Sequence, residues 1–97
     1  MSKEPRVFDV PKIICKVISQ TGTCDYHHKV GQEFEVINGI PVGMCPDALH
    51  TIFPYLHGLT YGASSPWESD KNIARTACPD WENPVVFEMR RVPKEDS

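Results

Sequence analysis

Nine prolines in 97 residues, about twice the usual share, hold this chain to short elements joined by irregular segments. Proline fixes φ and lacks an amide hydrogen, so each one starts, ends or bends the element it touches. A chain of this length has room for one modest core, and it reads as a single domain over 1–97. Residues 1–10 and 93–97 are expected to be flexible tails.

Between the prolines the apolar pattern is mostly that of strands. Lys12–Ser19 is rich in β-branched residues, and its alternation places Ile13, Cys15 and Val17 on one face. Glu33–Ile37 is a second strand, with Phe34 and Val36 facing one way. Asn38-Gly39 is a turn signal, after which Ile40–Val42 begins a short strand. Val85–Val92 is the last strand, with Val85, Phe87 and Met89 sharing a face. A helix is expected to start at Pro46, with Cys45 as its N-cap and Asp47 in the first turn. Leu49, Ile52, Phe53 and Leu56 give it an apolar stripe. Pro54 should kink it or end it after two turns, or let it continue as a second short helical turn. Ser69–Ala77 could hold a further short helix. These elements make an α+β domain, a small antiparallel sheet of three to four strands packed with one or two short helices.

Two of the prolines sit in copies of one tripeptide, Cys45-Pro46-Asp47 and Cys78-Pro79-Asp80. A thiol at a helix N-terminus is favoured as thiolate, the form that binds metals and attacks electrophiles. Cys24 lies four residues before His28 in a polar segment. That spacing allows chelation if the loop curls, although the Cys-x2-Cys pair of common zinc sites is absent. Cys24, His28, Cys45 and Cys78 are therefore the candidate metal ligands, and His27 is the neighbour that points elsewhere. Cys15, between Ile13 and Val17, reads as core. His50 and His57 read as surface residues on one helix flank. Tyr55, Tyr61 and Trp67 either line a small-molecule pocket or fill out the core. Cys45 and Glu68 are the candidate catalytic groups, while Asp47 and Asp80 fit more simply as turn caps.

Several runs together resemble a family of small, uncharacterised prokaryotic proteins of about this length with several Cys-Pro motifs. They are Cys45-Pro46-Asp47-Ala48-Leu49-His50, Phe53-Pro54-Tyr55, Tyr61-Gly62, Pro66-Trp67-Glu68, Cys78-Pro79-Asp80 and Asn83-Pro84-Val85-Val86-Phe87-Glu88. His28-Lys29-Val30-Gly31 followed by Glu33-Phe34 matches as well. Asp25 and His27 depart from the pattern, standing where the family has proline and glycine. The resemblance implies a shared cysteine pattern and no particular activity.

The formal charge of −3 and the absence of a basic stripe argue against nucleic acid as a partner. No apolar run approaches the roughly 20 residues of a membrane span. The polar start lacks a signal-peptide pattern, so a cytoplasmic, reducing compartment is expected. There, four cysteines point to metal or thiol chemistry more than to disulfides. Soft ligands select Zn or Fe over Mg or Ca. The leading expectation is a metal-binding protein, an enzyme only if a coordination position stays open. The alternatives are a thiol-based redox or nucleophilic enzyme using Cys45, or a small-molecule-binding module with structural cysteines. Exposed sheet edges in so small a domain favour a homodimer.

Overall fold

The computed structural model describes residues 11–92 apart from Asp25 and Asn38. The tails expected over 1–10 and 93–97, and the Asn38 half of the turn, lie outside the described residues. Six elements follow in order: β1 (Lys12–Gln20), β2 (Glu33–Ile37), β3 (Ile40–Pro41), α1 (Pro46–Thr60), β4 (Ile73–Ala77) and β5 (Val85–Val92). The fold is α+β, a five-stranded sheet with one helix, and every strand pair is antiparallel.

The strand order is β3-β2-β1-β5-β4, so the first and last strands pair at the centre. Their register runs from Lys12 opposite Val92 to Gln20 opposite Val85, with an irregularity between Val17 and Ser19. Cys15 lies opposite Met89 and also opposite Phe34 of β2, while Val17 lies opposite Phe87. The alternation of β1 thereby delivers Ile13, Cys15 and Val17 to the same face as Phe34, Phe87 and Met89, and all six are buried. Burial pushes the Cys15 thiol up to about 12, which leaves it a protonated packing group.

The helix packs over β4 and β5 and seats Ala48, Ile52, Leu56 and Leu59 on that face. Ile52, Leu56, Phe87 and Met89 are fully buried. Each such side chain contributes on the order of 1.5–3 kcal/mol of burial. At the far end, Arg91 of β5 reaches back to close the helix. Its Nη1 donates to the carbonyls of Leu59 (3.0 Å) and Ala63 (2.9 Å), its Nε donates to Asn72 Oδ1, and its Nη2 donates to the Lys71 carbonyl. Of these acceptors the Leu59 carbonyl is one that the helix end leaves without an intrahelical partner, and the others tie down the loop after it.

Two expectations are corrected here. The helix is longer than the two turns expected and runs unbroken through Pro54 to Thr60, 15 residues in all. Pro54 faces solvent, so the bond its missing N–H forfeits lies on the wet side while the buried stripe continues past it. Residues 73–77 form strand β4, not part of a helix. Pairing to β5, with Ala74 opposite Met89 and Thr76 opposite Phe87, overrides the weak helical reading of that stretch. No helix among the described residues is long and apolar enough to cross a membrane.

Candidate functional site

Cys24, Cys45 and Cys78 line one cavity of about 260 Å³, although they come from three separate segments. All three are half-buried free thiols. The cavity is below the roughly 300–1,000 Å³ of a typical small-molecule pocket and suits an ion or a small reactant. Tyr26, Asp47, Pro79, Asp80 and Asn83 complete its wall. Two carboxylates and no Lys or Arg stand there, a charge balance that favours a cation.

Each thiol is placed by a different device. Cys45 is the N-cap of α1, with φ −53° and ψ 132°, and its carbonyl takes the first helical bond, from Leu49 N at 2.9 Å. Pro46 follows at the first helical position, where the absent N–H has no cost. The backbone N–H of Cys45 itself donates to His28 Nε2 at 3.0 Å.

Cys78 continues the β4–β5 ladder past Ala77. Its N–H donates to the Val85 carbonyl at 2.8 Å, and Val85 N–H donates to its sulfur at 3.2 Å. The loop beyond is held by Asp80, whose Oδ1 accepts from the N–H groups of Glu82 and Asn83, both at 3.1 Å. This is an Asx turn.

Cys24 begins a turn closed by His27 N–H donating to its carbonyl at 2.8 Å. Asn83 ties this segment to the Cys78 loop, because its Oδ1 accepts from Thr23 N at 3.2 Å. Gly22, at φ +67°, lets Asn83 approach so closely: a Cβ there would stand 1.9 Å from Asn83 Oδ1.

His28 is buried and does not line the cavity. Its ring packs edge-on to Phe34 (5.0 Å between centroids) and Phe87 (5.9 Å), with Tyr26 tilted against it at 5.3 Å. Burial lowers its pKa, and a hydrogen bond with the Gln32 side chain partly offsets that. The neutral ring with Nε2 as acceptor is the form that fits the Cys45 N–H. The Nε2 lone pair is thus already engaged, and His28 positions Cys45 where the sequence offered it as a ligand. His27 is exposed and adopts φ +64°, the left-handed region that favours glycine. Asp25 lies outside the described residues.

Among the described residues, no group of three or more His, Cys, Asp or Glu stands ready to hold a metal ion as the side chains lie. The three cysteines line one cavity without forming a ready ligand cluster.

The other sequence candidates lie elsewhere. Glu68 is buried and paired with Arg75, whose Nε donates to Oε2 at 3.0 Å and whose Nη2 reaches Oε1. That hydrogen bond is the main reason its carboxyl is held below the usual range. Glu68 does not line the thiol cavity and stands as an anchor of its loop. Tyr55 and Trp67 meet edge to face at 6.5 Å across a separate apolar cavity of about 180 Å³. Tyr61 does not line it and packs on His57 instead, at 4.7 Å.

Sequence reasoning does not single out Tyr26 or Asn83. The signal for Asn83 is its place three residues after Asp80 and just before Pro84, a loop closing onto a strand. No family model, curated protein or solved structure matches the chain.

Proposed function

We propose that this protein binds a soft metal ion, zinc or iron, through the thiolates of Cys24, Cys45 and Cys78. The observation that carries the reading is the meeting of three free thiols, from three segments, at one acidic cavity with no basic side chain in its wall. Thiolates at about 2.3 Å suit Zn²⁺ and iron, and exclude Mg²⁺ and Ca²⁺. The Val85 N–H on the Cys78 sulfur is a second-shell contact of the kind that tunes a metal–sulfur bond. With His28 engaged elsewhere, three protein donors leave a fourth position for water, for a small reactant, or for Asp47 at the cavity wall. An open position is what separates catalytic from structural zinc sites.

The test is elemental analysis of protein purified without a histidine tag. One zinc or iron per chain is expected, lost in Cys45→Ser and in Cys78→Ser. Cobalt substituted for the ion should show the thiolate charge-transfer band.

A second reading rests on the same three free thiols at one cavity. Two of them could close to a disulfide, giving up two protons and two electrons to a disulfide substrate. Metal-free, folded protein whose Cys45 and Cys78 are alkylated when reduced and protected after oxidation would favour this reading over the first.

A further inference from the structure

Beyond Asp47, the outer side of α1 and the loop after it come from a run without a charged side chain. Residues 48–67 contain no Asp, Glu, Lys or Arg, although 24% of the chain is charged and about five such residues would be expected in that length. Burial accounts for Ala48, Ile52, Leu56 and Leu59. It does not account for the exposed positions.

Phe53 is 40% exposed, Tyr61 58% and Trp67 66%. Phe53, His57 and Tyr61 recur every four residues and stack into a ladder, with centroids 5.6 Å and 4.7 Å apart. Beside the ladder, Phe53 and Pro54 line an open groove with Pro46, Leu49 and His50. Pro54 also borders the apolar cavity under Trp67, so the groove and that cavity form one continuous face. Exposed aromatics with charges removed are the composition of an interface centre.

We infer that this face pairs with the same face of a second copy of the chain. A two-fold axis sets each residue near it against residues of the same patch, so any charge there would meet its own kind. A face with no charge is complementary to itself, and it offers a differently charged partner nothing to steer by. The helix is about 22 Å long, at 1.5 Å per residue, long enough for two copies of α1 to cross with their ladders in contact. The pairing runs through α1 and not through strand addition at a sheet edge, and it does not rest on the thiol site.

Sedimentation equilibrium of the full chain over a wide concentration range tests the inference. The wild type should reach twice 11.0 kDa. Phe53→Lys and Phe53→Glu should each weaken the dimer at least tenfold, while near-ultraviolet circular dichroism confirms that the monomer stays folded. Cys45→Ser should pair as the wild type does. A wild type that stays at 11.0 kDa overturns the inference, including the case in which removing residues 1–10 then uncovers the face. A dimer insensitive to both Phe53 variants overturns it too, as does a dimer lost with Cys45→Ser, which would place the link at the thiol site.

Discussion

The two Cys-Pro-Asp copies share their letters and their cavity, yet fold in opposite senses. At the first copy the chain enters a 15-residue helix, with Cys45 as an N-cap that makes no side-chain cap bond, Pro46 in the first turn and Asp47 as the acidic residue beside it. At the second copy a strand has just ended, Cys78 keeps its ladder bonds to Val85, and Asp80 closes a turn with two bonds. Proline is compatible with both because φ near −65° serves a helix start and a turn equally. What differs is the support. A buried ring, His28, fixes the first copy from outside, whereas the second is fixed by its own aspartate.

The sharpest way to break this comparison is to remove the external support. His28→Ala deletes the acceptor for Cys45 N–H and a ring packed on Phe34 and Phe87, and should destabilise the fold by about 3–5 kcal/mol in urea titration. A loss under about 1 kcal/mol would mean that the first copy stands without His28.

The same substitution in both copies gives the next largest effect. Asp80→Ala should cost about 1–2 kcal/mol, through two lost turn bonds. Asp47→Ala should cost only about 0.3–1 kcal/mol, through the helix dipole. Equal losses would erase the distinction drawn between the copies.

Acid should then act mainly on the first copy. The folded pKa of His28 lies below the ordinary value of 6.5, so above 6.5 the ring is neutral in both states. As pH falls below 6.5 the unfolded chain gains a proton that the folded one refuses, and stability drops until the folded pKa is passed. Urea midpoints of metal-free protein between pH 8 and 5 should show this fall, and His28→Phe should flatten it. An unchanged slope in that variant would assign the acid sensitivity to another group.

The smallest effect concerns the turn that brings Cys24 to the two copies. His27→Gly relieves a left-handed residue and should stabilise by no more than about 1 kcal/mol, since glycine's greater unfolded entropy takes back part of the gain. A clear loss of stability would show that the His27 side chain does more than tolerate its conformation.

Much of the fold was legible in the chain. Alternation placed β1, β2 and β5 and their inward residues, and the Cys-Pro-Asp start placed the helix N-terminus. β4 was hidden because Ala74, Arg75 and Ala77 have little strand preference of their own, and only the β5 ladder makes them extended. The length of α1 was hidden because a proline's effect depends on which side of the helix it faces, and the sequence does not say which side is wet.

At the site, the three cysteines were legible as loop thiols beside prolines and a turn. The work of His28 was not, because its partner is 17 residues away and its burial comes from Phe34 and Phe87. Glu68 misleads for a related reason, since Arg75 engages it from a strand that the sequence concealed.

The pairing of β1 with β5 also sets an order of events during synthesis. The central ladder joins residues 12–20 to residues 85–92, so the middle of the sheet waits for nearly the whole described chain. Until β5 is in place, Cys78 lacks its Val85 partners and Asn83 has no strand to hold it against Thr23. A nascent chain therefore carries Cys24 and Cys45 with no cavity between them. The three-thiol chamber is completed last, once β5 has paired with both β1 and β4.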